Sequence, residues 1–283
     1  SSSHQAWAAW LVRALRQRAE TLVKVGNEIV RQQADFFTFG INHFRPLGLR
    51  HIADVIGVVH CLDPKTGKVI WKTPGRPAGY GNFIVGVFGG VKQIVGHDSE
   101  TLGGWDLATG KRLWEIVPAR RGDFNVPTPL AVGDKLLVTT ENNGTRFYRF
   151  RSAGVIDSEP IAVNKQINPD THTPIAVGSR LFAVHQRLHC VDLSNNLKPL
   201  WHADDAAFES YASIVASENR LLVLNLQGDM VLLDAKTDKL VEKGRWHLFP
   251  DEQAGYAHPA LVGTRLYVRG NMSILCIDLA EKP

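Results

Sequence analysis

The chain is poor in cysteine, has no long apolar run, and carries little charge of one sign to spare. Three cysteines in 283 residues, Cys61, Cys190 and Cys276, do not make the framework of a disulfide-stapled domain. Each stands two residues before an aspartate of a repeated unit. Equivalent positions in successive units should lie beyond the roughly 7 Å that a disulfide spans, so they are expected to be small buried core residues. Nothing approaches 18 consecutive apolar residues, which excludes a helical membrane span. The formal net charge is +4. Residues 1–50 hold 7 basic and 3 acidic side chains, which accounts for the whole excess, and the remainder balances at 25 each. A neutral body of that kind makes no electrostatic case for nucleic acid. Gly-rich phosphate loops, nucleophile elbows and zinc-ligand spacings are also missing.

At 44% hydrophobic and 21% charged, the composition is that of an ordinary globular domain. Its main feature is a repeat. Asp63-Pro64-Lys65-Thr66-Gly67-Lys68-Val69-Ile70-Trp71 is echoed by Asp106-Leu107-Ala108-Thr109-Gly110-Lys111-Arg112-Leu113-Trp114. Looser copies run from Asp192 to Trp201 and from Asp234 to Trp246, and a last one opens at Asp278. The aspartates are 43, 86, 42 and 44 residues apart, and the skipped register falls at Arg149, giving six marks. A period of about 40–45 residues built from short strands is the pattern of a propeller blade.

Short apolar runs precede the aspartates, as in Met230-Val231-Leu232-Leu233 and Ile274-Leu275-Cys276-Ile277, and read as strands. Asp is suited to bond the backbone of the turn it opens, Gly to close it, and Trp to fill space between twisted sheets. These residues are therefore assigned structural roles. A second mark, Pro129-Leu130-Ala131-Val132-Gly133-Asp134-Lys135-Leu136, recurs at Pro174 and Pro259 and more weakly at Ser213. It reads as strand, tight turn, strand. With the Asp hairpin it completes a unit of four antiparallel strands.

On these motifs residues 51–283 resemble the PQQ-like (pyrroloquinoline-quinone-type) repeat β-propeller family. The resemblance implies an all-β propeller of four-stranded antiparallel blades, about five full and one partial. Members usually have more blades, so a truncated propeller is expected, with Phe36–Ile41 as the candidate closing strand. The resemblance also implies a periplasmic or secreted location, although the chain has no signal peptide pattern, and its lack of an initiator Met reads as a fragment or processed chain. Residues 1–50 form a separate region. Ala8, Leu11, Val12, Leu15, Ala19, Leu22 and Val23 recur at helical spacing between arginines, predicting an amphipathic α-helix over His4 to about Gln33.

Aligning the segments that lead into each blade brings nine residues to equivalent places. They are Tyr80, Asn82, Asn125, Asp170, His172, Glu209, Tyr211, Tyr256 and His258, expected to ring one mouth as a ligand site. Quinoprotein members of the family hold PQQ on an aromatic floor with Ca²⁺ on oxygen ligands. Here no adjacent cysteine pair and no acidic ligand set stands out, so neither cofactor nor catalytic residue is expected. Arg121-Gly122-Asp123, the acceptor triplets at Asn143 and Asn271, and His97-Asp98-Ser99-Glu100 are weak matches to an integrin motif, a glycosylation rule and a metal site. The expected function is a non-catalytic scaffold for a protein, peptide or glycan; the alternative is a PQQ- and Ca-dependent dehydrogenase or a degenerate copy of one.

Overall fold

A computed structural model describes residues 50–53 and 58–280. The expected N-terminal helix and the candidate closing strand at Phe36–Ile41 lie outside the described residues. Six antiparallel sheets are present, each a meander in chain order. The first holds β1 (Arg50–Ala53), β2 (Val58–Leu62) and β3 (Val69–Pro74). The second holds β4 (Ile84–Phe88), β5 (Val91–His97), β6 (Leu102–Asp106) and β7 (Arg112–Ile116). The third holds β8 (Leu130–Val132), β9 (Lys135–Thr140), β10 (Gly144–Arg149) and β11 (Ala162–Asn164). The fourth runs through β12 (Ile175–Val177), β13 (Arg180–Val184), β14 (Leu188–Asp192) and β15 (Lys198–Ala203). The fifth runs through β16 (Ala212–Ala216), β17 (Arg220–Asn225), β18 (Asp229–Asp234) and β19 (Glu242–His247). The sixth holds β20 (Ala260–Val262), β21 (Arg265–Arg269) and β22 (Ile274–Asp278).

Four sheets therefore have four strands, and the first and sixth have three among the described residues. Of the five blades expected to be full, the one marked by Asp278 has three. The first three sheets, with Asn195–Leu197, form one compact unit, and the last three sheets form another. One stretch departs from expectation. Ser152–Thr171 reads as a plain connector, yet it contains β11, which pairs with β10 through Thr145–Asn164, Arg146–Val163 and Phe147–Ala162. Three residues beside Pro160 are too short a run to stand out as a strand.

Strand position explains the hydropathy of each run. The middle strands are covered on both faces, so β9, β10 and β13 are almost wholly buried. The last strands β3, β15 and β19 have one wet face and alternate. Apolar clusters fill the spaces between sheets. Phe88 stacks on Phe150 at 4.7 Å with Trp114 edge-on at 5.7 Å, and Phe182, Phe208 and Leu221 share another cluster.

The repeated turn is held by local bonds. Asp63 Oδ1 accepts from the amides of Lys65 (2.9 Å) and Thr66 (2.8 Å) and from the Thr66 hydroxyl (3.0 Å). Asp106 does the same for Ala108 and Thr109. Asp192, Asp234 and Asp278 accept from the amides two residues on. The Thr66 bonds hold the Asp63 carboxyl below its ordinary range, and those of Thr109 do so for Asp106.

The tryptophans then tie one sheet to the next. Trp71 Nε1 donates to Leu107 O at 3.2 Å, and Trp201 Nε1 to Thr237 O at 3.2 Å, each 36 residues downstream in the following sheet's turn. Trp114 is buried and donates instead to Gln93 Oε1 at 2.7 Å, and Gln93 passes the chain on to the carbonyls of Phe88 and Gly154. None of the three cysteines is in a disulfide, and burial pushes the Cys190 thiol up to about 12, which leaves it inert.

Candidate functional site

The nine lead-in residues all precede the first strand of a sheet, but their surroundings differ. In the unit of the first three sheets the lead-in segments are stitched together in series. Asn82 N donates to Thr128 Oγ1 (3.2 Å), and Thr128 N donates to Thr173 Oγ1 (2.9 Å). Gly81 N donates to Asn125 O (2.6 Å), so the two loops touch backbone to backbone. Asn125 is buried, has a φ of 56°, and donates from Nδ2 to Asp98 O at 3.1 Å. His172 is buried too, and Asp170 is half-buried. Asn125 and His172 therefore act inside the fold rather than at a surface. Asn82 and Tyr80 are exposed, the latter at 74%.

Tyr80 does not stand alone. Its ring lies edge-on to Phe124 at 6.2 Å, and Phe124 is itself 63% exposed. Sequence reasoning missed Phe124 because it precedes the aligned window by one residue. Its signal was an apolar ring at the end of a polar connector. Glu141 anchors it, since its Oε1 accepts from the Phe124 amide. Burial, together with the charges of Asp123 and Asp170, raises the Glu141 carboxyl.

Behind this exposed pair is a buried polar layer. His97 is 5% exposed and Arg146 8%. Burial and then the Arg146 charge push His97 down to about 3, against an opposing pull from Asp123 and Asp98. The ring is neutral at any physiological pH. Arg146 donates to Thr140 Oγ1 at 2.9 Å. Asp98 would be raised by burial, but bonds from Glu100 N (2.9 Å), Thr101 N (2.6 Å) and Thr101 Oγ1 (2.9 Å), together with Arg112 at 3.2 Å, hold it below its ordinary range. Arg76 reaches the same carboxylate at 3.4 Å. His97-Asp98-Ser99-Glu100 is thus an ion-paired turn.

The Arg121-Gly122-Asp123 and Asn143 motifs are likewise absorbed. Asp123 accepts from Asn142 N (2.8 Å) and Asn143 Nδ2 (2.6 Å), locking the Arg121-Gly122-Asp123 loop to the β9–β10 turn. The same Asn143 amide donates to Arg120 O at 2.8 Å, so the nitrogen that a glycan would need is engaged.

In the unit of the last three sheets, Tyr211 and Tyr256 form a second exposed aromatic pair. Their ring centroids lie 5.7 Å apart, and Tyr256 is 71% exposed. Glu209 follows the short 3-10 turn Ala206–Phe208, and its side chain, like that of His258, is exposed. Each unit therefore presents a pair of exposed aromatic rings on its lead-in loops. Large rings that lose little side-chain entropy on burial are the usual anchors of protein interfaces.

Meandering antiparallel sheets, Asp–Gly hairpins and indoles bonded into the next sheet's turn define a β-propeller repeat protein. The chain belongs to the PQQ-like repeat β-propeller family: the family model described as outer membrane protein assembly factor BamB matches residues 51–243. Solved structures agree on the fold. BamB from Moraxella catarrhalis is 16% identical with a TM-score of 0.52, over 85% of this chain and 84% of that one. The Cps50 (Swd1) β-propeller domain of Myceliophteria thermophila is 16% identical with a TM-score of 0.57, over 84% and 82%.

A second family model, the sigma-54 DNA-binding domain, matches residues 2–61. RNA polymerase sigma-54 factor 2 of Bradyrhizobium diazoefficiens is 63% identical over 49 residues, 17% of this chain and 9% of that factor. The chain spans about a tenth of the length of such curated relatives. Of this match only 50–53 and 58–61 are described, and they lie in β1 and β2. The described residues hold no nucleic-acid-binding fold, and no helix among them is long and apolar enough to cross a membrane.

Among the described residues no three His, Cys, Asp or Glu side chains gather as metal ligands. The indoles of Trp71, Trp114 and Trp201 are committed to sheet-to-sheet and core contacts.

Proposed function

We propose that the chain is a non-catalytic propeller scaffold that binds a protein partner in the bacterial envelope, through the exposed aromatic rings of its lead-in loops. The observation that carries this reading is the pairing of Tyr80 with Phe124 and of Tyr211 with Tyr256 on surfaces where polar side chains would otherwise be favoured. The envelope setting rests on the family's description as an outer membrane protein assembly factor.

The test is site-specific photo-crosslinking in cells of the source bacterium, with the reactive residue at 80, 256 or, as a control on an outer turn, 65. The reading expects one discrete protein adduct at 80 or 256, absent at 65 and weakened at least tenfold by Phe124→Ala or Tyr211→Ala. Adducts of equal strength at all three positions, or binding only to a glycan array, overturn it. Added PQQ and Ca²⁺ are expected to give no thermal shift and no dye-linked alcohol oxidation.

A second, separate reading rests on the sigma-54 match: residues 2–61 contact duplex DNA. The excess of basic residues in 1–50 favours this. Binding is expected to weaken steeply between 50 and 200 mM salt and to disappear when residues 2–49 are deleted. Loss of all gel-shift activity in the full chain at 50 mM salt rules it out.

A further inference from the structure

In the fifth sheet the indole of the repeat is displaced, and a cavity stands there. In the first, second and fourth sheets the last-strand Trp sits opposite the residue two before the repeat aspartate or register mark: Trp71 opposite Cys61, Trp114 opposite Gly104, Trp201 opposite Cys190. In the fifth sheet that position, opposite Leu232, belongs to Gly244, and Trp246 stands two residues on, opposite Met230. The hairpin from Asp234 is longer than its counterparts, which displaces the ring along the strand while keeping it on the same face. A β-carbon on Gly244 would come within 2.6 Å of the Trp246 ring, so the indole lies back over the glycine.

A second substitution within the repeat adds to the gap. The fourth sheet carries Phe182 on β13, fully buried and 5.9 Å from the Trp201 ring. Counting from the tight turn, the matching residue of β17 is Leu222, so an aromatic ring is replaced by a smaller aliphatic side chain. Between the fifth and sixth sheets a cavity of about 220 Å³ results, lined by Leu222, Leu232 and Trp246 on one side and Leu261, Leu266 and Leu279 on the other. Its polar lining is Ser217 and Arg220. Arg220 is engaged elsewhere, donating to Asn219 O at 3.0 Å and lying 3.6 Å from Asp234. The mouth thus makes no demand for an anion.

We propose that this cavity is a binding site for a neutral planar aromatic molecule of one or two fused rings, of the indole class. An apolar protein cavity of about 150 Å³ lined by Leu, Ile and Phe stays dry and binds benzene. This one is larger, mostly apolar, open to solvent beside the 50% exposed Leu261, and walled by an indole against which a second ring stacks or packs edge-on. The position is one that the fourth sheet of the same repeat fills with aromatic rings, Trp201 and Phe182. The site is independent of the lead-in loops and of any protein partner they bind.

The experiment is a thermal melt and an isothermal titration of the full chain with indole and with benzene. Indole at ten times its Kd raises Tm by about 3 °C. Leu222→Phe, which installs the fourth sheet's residue, removes the shift. In a ¹⁵N-tryptophan-labelled sample, indole moves the side-chain resonance of Trp246, assigned through Trp246→Phe, and leaves that of Trp71 in place. This second readout needs no cavity-filling variant to fold. No shift in the wild-type chain, as when the chain's own last residues fill the space, overturns the proposal. So does a shift that Leu222→Phe leaves intact, or a change at Trp71 equal to that at Trp246.

Discussion

Gly110→Ala is expected to lower stability by about 3–4 kcal/mol, and the same change at Gly67 by only about 1 kcal/mol. The two glycines close the same turn, at φ values of 72° and 70°, so the left-handed conformation costs an alanine the same at both. The difference is in what lies outside. A β-carbon on Gly67 meets nothing within 4 Å. On Gly110 it would overlap the six-membered ring of Trp71, at 2.7 Å from Cζ3 and 2.8 Å from Cδ2. That ring cannot move aside without giving up its bond to Leu107 O. Urea melts of the two variants measure the gap. In a double-mutant cycle, Trp71→Ala should make Gly110→Ala cost no more than Gly67→Ala. Equal losses for the two single variants would mean that the indole does not join the first sheet to the second.

Acid is expected to weaken the fold through His97 before the lowered carboxylates of Asp63, Asp98 and Asp106 respond. The ordinary imidazole value is 6.5 and burial lowers this one to about 3. Between those values the unfolded chain binds a proton that the native chain does not, so stability falls as pH falls. The contribution is fully present above pH 6.5 and is lost progressively down to pH 3. From pH 6.5 to 4.5 this one group removes about 2 kcal/mol, the full slope being 1.36 kcal/mol per unit. His97→Gln, which keeps a polar side chain without the titration, should flatten the profile by that amount. His189, which burial also lowers, titrates in both proteins and cancels in the difference. Asp63, Asp98 and Asp106, all held below their ordinary range, weaken the fold only at lower pH. Parallel profiles for wild type and variant between pH 6.5 and 4.5 would place the acid sensitivity elsewhere.

Much of the fold was legible in the chain because the repeat is built from contacts two or three residues long. Asp63 bonding Lys65 and Thr66 is a local event, and the same spacing at Asp106 yields the same turn. The tight turns after Val132, Val177 and Val262 follow equally from Val-Gly between two apolar runs. The strand β11 was not legible, because a three-residue run beside a proline carries no periodicity and is made a strand only by its partner β10.

The lead-in residues were legible as positions but not as environments. Alignment placed Tyr80 and Asn125 among equivalents, yet one is mostly exposed and the other buried against Asp98. Phe124, which supplies half of an exposed aromatic pair, fell outside the aligned window by one place.

By itself, then, the sequence determined the unit: its period, its hairpins, and the residues that turn the chain. The tertiary structure alone decided which indole reaches which carbonyl, that His97 is neutral, and that the gap beside Trp246 stays open. Those outcomes depend on side chains 20 to 60 residues apart being brought into contact. No spacing within a single repeat records the volume that its neighbour leaves unfilled.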